Sequence, residues 1–153
     1  MSKKDLHKRD LSQLLDEFLI SCDDDMIIKY LTSNSNLPGR RANLELAEAF
    51  AEVAEDYSKE YKEKIWELCI KFSEFSQDEA PINDPLEFLP FCGAYAIGAV
   101  GSVHPGLFEE SLSRLRRIAD DPRWRIREAV AFGIQKLLEK DSERTLKELE
   151  GWI

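Results

Sequence analysis

Residues Arg123 to Arg127 read RWRIR, three guanidinium groups around one indole. A guanidinium fork donates in pairs to carboxylate or phosphate oxygens, and an indole adds a flat apolar surface, so the chemistry on offer is binding rather than bond-making. Arg41 holds the matching place in an earlier segment, in a register described below, so Arg41, Arg123, Trp124 and Arg125 are the candidate partner-binding residues. Arg114, Arg116 and Arg117 lie just upstream, and the six arginines together face only Asp120 and Asp121 nearby. They form a positive island on a chain of formal charge -9. The plainer account is a solvated face balanced by acids from other helices.

No other group reaches a catalytic or metal-binding arrangement. His7 lies near the start, and His104 stands in the VHPG turn with no nucleophile or carboxylate at a telling spacing. Cys22, Cys69 and Cys92 are odd in number, lack CxxC spacing and sit among apolar neighbours, so all three are expected as reduced core residues. Asp23, Asp24 and Asp25 suit a helix start. As a calcium loop they fail, because that loop needs oxygens at alternate positions, a glycine at the sixth and a glutamate at the twelfth. The glycines of GAYAIGAVGSV lack the lysine and Ser/Thr ending of a phosphate loop, and Gly93, Gly98 and Gly101 are expected as close-packing points between helices. No catalytic residue, cofactor or metal is expected, and the chain reads as a non-enzyme.

The elements that must position the arginines follow from apolar spacing. Glycines and prolines cluster at NLPG (36–39), APINDP (80–85), HPG (104–106) and DP (121–122), and the stretches between them repeat apolar residues every three or four positions. The spacing predicts helices over about 4–21, a short one through Met26 to Leu31, then 41–55, 58–75, an apolar one ending near Gly101, 107–119, 122–140 and the start of another after Ser142. No stretch alternates as a strand does, so the fold class is all-α. The start is too charged for a signal peptide, no run reaches the apolar length of a membrane span, and a cytoplasmic location is expected.

Aligning Pro38, Pro85 and Pro122 exposes a shared frame. Ala42, Leu46, Ala49, Phe50 and Val53 fall at the offsets of Leu89, Gly93, Ala96, Ile97 and Val100, and again of Ile126, Val130, Gly133, Ile134 and Leu137. In each copy a small residue precedes a large one, as closely stacked helices require. The copies lie 47 and 37 residues apart, a period typical of helical repeat arrays.

Over Leu107 to Lys140 the chain resembles the HEAT repeat family, through Asp121 in the turn, Ile126 and Arg127 near the helix start, and the small residues Ala129, Ala131 and Gly133. The resemblance implies an α-solenoid of antiparallel helix pairs, about three repeats (1–56, 57–104, 105–140) plus a partial one (141–153), in a single domain spanning 1–153. It further implies that Asp121 and Arg127 form a structural ladder between repeats. The second copy has Pro90 where that arginine would stand and the first has Asn43, so the ladder is incomplete.

The functional expectation is a non-catalytic interaction or scaffold module whose partner is another protein. The alternative is nucleic-acid binding or a protein resembling HEAT-like DNA alkylation-repair enzymes; the charge of -9 and the lack of a convincing catalytic aspartate make nucleic acid the weaker reading. No membrane partner is expected. Leu146, Leu149, Trp152 and Ile153 at the end of the chain either fold back on Leu112 and Leu115, or pair with a second copy, or await a continuation of the chain.

Overall fold

The computed structural model describes residues 1–152. Among them it is all-helical: α1 (Lys3–Ser21), α2 (Asp25–Ser33), α3 (Leu44–Ser73), α4 (Phe88–Val103), α5 (Phe108–Ile118), α6 (Trp124–Lys140) and α7 (Ser142–Glu150), with single 3-10 turns at Pro85–Glu87 and Pro105–Leu107. The helix ends follow local chemistry. Ser2 and Asp5 form a reciprocal capping box on α1, and the Asn43 side chain accepts from the Leu46 N–H at the start of α3.

α3 differs from the two helices expected at 41–55 and 58–75. It begins at Leu44, leaving Arg41 in the preceding turn, and runs through to Ser73 with one break at Tyr61 (φ -121°, ψ 50°). No glycine or proline stands between Ala42 and Ser73 to stop it. The break lies just beyond Ser58, whose hydroxyl donates back to the Glu55 carbonyl at 2.7 Å, a bond that competes with the helix ladder. His104 Nε2 lies 2.9 Å from the same hydroxyl, tying the end of α4 to the bend. Burial and nearby Lys62 hold the His104 imidazole below its ordinary pKa.

α4 occupies the centre. Every residue from Phe88 to Ser102 is buried, and it packs most extensively on α3 and next on α6. The stretch Pro85–Val103 is long and apolar enough to cross a membrane, contrary to the sequence expectation, but 89% of its apolar window is enclosed by the protein itself. Its apolarity is that of a helix surrounded on all sides.

All residues of the threefold frame are buried except Ile134, which is partly so. Glycine permits the closest approach. A Cβ at Gly98 would collide with the Gly133 backbone, and one at Gly133 would come within 2.9 Å of the Ala94 carbonyl oxygen and 3.3 Å of Leu115. Ala131 is exposed, because it lies half a turn from Ala129 and Gly133 and so cannot share their face.

One further expectation is corrected. Cys22 is exposed at the left-handed C-cap of α1 (φ 61°), while Cys69 and Cys92 are buried, where desolvation pushes the Cys69 thiol up to about 12 and Cys92 well above its usual value. The end of the chain folds back: α7 packs on α6, Arg144 pairs with Glu109 at 3.3 Å and covers the Phe108 ring, and Trp152 packs against the core. Leu146 stays half-exposed, and Ile153 lies outside the described residues.

Candidate functional site

The arginine island does not exist as one surface. Arg114 pairs with Glu110 at 2.8 Å, Arg116 donates to the Gly151 carbonyl, and Arg117 is exposed. Arg123 and Arg125, expected as contacts for a partner, are 2% and 4% exposed, and the hydrogen bonds they make are to the protein itself.

Arg123 holds the turn before α6 to the loop before α4. Its Nε and Nη2 donate to the two Asp121 carboxylate oxygens at 2.9 and 2.7 Å, while Nη1 and Nη2 donate to the Ala80 and Phe75 carbonyls, both at 2.9 Å. Asp121 also accepts the Arg123 N–H at 2.9 Å, a local Asx-type turn. Arg127 donates to the carbonyls of Asp121 and Pro122 at 2.9 and 3.1 Å. The Asp121–Arg127 contact thus stays within one turn and uses the backbone, and the charged partner of Asp121 is Arg123. Sequence spacing missed this because an Asp-x-Arg pair meets only in a turn and not along a helix face, and Arg127 is implied by the family resemblance alone.

The Asp121 arrangement carries a pH dependence. Burial raises the carboxyl's pKa, but the hydrogen bonds and charge of Arg123 outweigh it and hold the group below 3.8. A depressed carboxyl contributes stability that is present above its unfolded pKa and lost as pH falls through the folded one. Denaturant midpoints are expected to drop more steeply below about pH 4 in the native chain than in Asp121→Asn, which is weaker at neutral pH already. Parallel acid limbs for the two proteins would contradict this.

Arg125 joins three turns at once. Its Nη1 donates to Glu87 at 3.1 Å and its Nη2 to the carbonyls of Gly39 and Arg40 at 2.7 and 3.3 Å. Glu87, wholly buried, also accepts the Asn83 N–H at 2.9 Å, and the Asn83 side-chain oxygen accepts the Gly39 N–H at 3.0 Å. Asn83 sits at φ 67°, the left-handed region where asparagine is tolerated. Arg125 Nε and Glu87 Oε2 are buried without a hydrogen-bond partner. The turns preceding α3, α4 and α6, each carrying one proline of the register, are thereby clasped together.

Above this clasp lies a cleft of about 370 Å³ lined by Arg40, Arg41, Ala42, Leu44, Trp124, Arg125 and Glu128. The Trp124 ring lies 4.7 Å from the Arg125 guanidinium and is 48% exposed. Arg40 and Arg41 are exposed, and among the described residues no carboxylate lies within 4.0 Å of either guanidinium. Of the four sequence candidates, Arg41 and Trp124 meet here as accessible groups and Arg125 forms part of the wall, while Arg123 lies elsewhere. Arg40 was overlooked, although it adjoins Arg41 in the chain.

The acidic triplet Asp23, Asp24 and Asp25 brings its carboxylates together, but Asp24 is engaged by Lys71 at 2.6 Å and the Asp23 side chain accepts the Asp25 N–H at 2.9 Å. No protein-family model, curated protein or solved structure matches the chain.

Proposed function

We propose that the chain is a cytoplasmic, non-catalytic interaction module with a HEAT-like solenoid arrangement, and that it binds another protein at the cleft between the turn before α3 and the start of α6. The architectural part is supported by the shared burial frame of α3, α4 and α6 and by the position of α4 against both of the others. The observation that carries the binding part is Trp124, a large aromatic left half in solvent beside the exposed Arg40 and Arg41. Tryptophan and arginine supply much of the energy at protein interfaces because they combine large apolar area with directed donors. The nucleic-acid alternative is weakened by the burial of Arg123 and Arg125, which leaves no extended basic track among the described residues of a chain of charge -9.

The double variant Trp124→Ala, Arg41→Glu tests the reading. Its fold should persist, since both side chains are exposed, with a change in stability within about 1 kcal/mol. Its affinity for a partner recovered from the source cell should fall by about thirtyfold or more, as for loss of an interface anchor worth about 2 kcal/mol. A photo-crosslinker placed at Leu44 should join that partner to the native chain. Equal capture by both proteins, with crosslinks only at distant positions, would exclude the cleft.

A further inference from the structure

We infer that the cleft recognises a single oxyanion on a peptide, an aspartate, glutamate or phosphorylated side chain, with a neighbouring apolar or aromatic side chain laid against Trp124. This deepens the proposed interaction role and rests on the cleft being the partner-binding surface.

The charge arrangement selects the ligand. Arg40, Arg41 and Arg125 contribute three guanidinium groups, opposed by Glu87 beneath Arg125 and Glu128 in the wall, which leaves one positive charge over. Arg125 is fixed by the Gly39 and Arg40 carbonyls and paired with Glu87, so it forms a rigid, charge-balanced floor and the surplus charge lies on Arg40 and Arg41. Arg40 and Arg41 rise from the turn beside it with no carboxylate within 4.0 Å among the described residues, and their donors are free to close on an anion as a fork. One surplus charge in about 370 Å³ suits one anionic side chain and its neighbour.

A polyphosphate strand suits it poorly. Successive phosphates would meet Glu128 and then a surface whose overall charge is strongly negative, whereas a peptide can present an isolated anion flanked by neutral groups. The apolar portion of the ligand is set by Trp124. Its ring carries the Arg125 cation at 4.7 Å, which holds the indole in place, and its exposed half offers surface to a second flat group.

The test uses the full chain and fluorescein-labelled peptides that place glutamate, glutamine or phosphoserine next to phenylalanine, with a labelled oligothymidylate as the nucleic-acid arm. Fluorescence anisotropy should show the glutamate or the phosphoserine peptide bound at least tenfold more tightly than the glutamine peptide. Whichever of the two binds more tightly identifies the oxyanion. Arg41→Gln should abolish the preference, and Arg117→Gln, at an exposed arginine outside the cleft, should keep it. Amide and indole NMR shifts on titration should centre on Trp124. The inference is overturned if charged and neutral peptides bind alike, if none binds, if the shifts centre elsewhere, or if oligothymidylate binds more tightly than every peptide. If a protein partner still crosslinks at Leu44 while charged and neutral peptides are indistinguishable, the oxyanion assignment fails and the interaction surface stands. If crosslinks avoid the cleft, both fail.

Discussion

Replacing Arg123 by methionine is expected to destabilise the protein by about 3–5 kcal/mol, the largest effect of any single change at the turns. The reason is that one buried side chain meets the needs of three groups. Methionine has similar reach but no donors, so the Phe75 and Ala80 carbonyls each lose the guanidinium bond at 2.9 Å and the partly buried Asp121 carboxylate loses its two-point partner. A buried acceptor left unmet costs roughly 1–3 kcal/mol, and the buried Ala80 carbonyl, the part-buried Phe75 carbonyl and the unpaired carboxylate together account for the size. Arg123→Lys should fall between the two, because an ammonium keeps the charge and cannot span all three sites. With total stabilities of about 5–15 kcal/mol for domains, the methionine variant should show a large drop in urea midpoint. A loss below about 1 kcal/mol would mean that the network is replaced by water at little cost.

The second large effect is expected at the crossing of α4 and α6. Gly98→Val should cost more than the roughly 1–3 kcal/mol usual for overpacking, because the added carbons collide with the Gly133 backbone and not with a side chain that can change rotamer. α6 has to move away, and the contacts of Ile126, Val130 and Leu137 move with it, all three being buried at 0–4% exposure. Gly98→Ala should already lower the thermal midpoint by several degrees, at roughly 2–4 °C per kcal/mol for a chain of this size. Gly106, where an added Cβ meets nothing within 4 Å, is the control. Thermal melts in which Gly98→Ala matches Gly106→Ala would refute the close backbone crossing.

The contacts of Arg123 and Arg125 explain what the arginine-rich segment does. Two of its three arginines are structural: Arg123 answers to Asp121 in its own turn and to the Phe75 and Ala80 carbonyls, and Arg125 to Glu87 and the Gly39 and Arg40 carbonyls. Burying such charges is expensive, and it is sustained here because the partners are fixed by the loops at 36–43 and 75–87. The exposed groups of the cleft are fewer than the sequence suggested: Trp124, Arg41 and the neighbouring Arg40.

The repeating apolar spacing determined the all-helical class, and the register of Pro38, Pro85 and Pro122 located the residues that α3, α4 and α6 bury. Such positions are legible because hydrophobic burial acts residue by residue at a fixed helical period. The glycines of α4 were legible for a related reason, since small residues in a helix mark where another backbone comes near. The fate of each charge was not legible. Whether Arg123 and Arg125 meet solvent or the protein depends on carbonyls about forty to ninety positions earlier in the chain, brought close only when α4 is enclosed between its neighbours. The same holds for His104 against Ser58, and for Cys22, left exposed where α1 ends. Apolar residues announce their burial through their own pattern, whereas a polar group is buried or exposed according to partners that only the tertiary structure assembles.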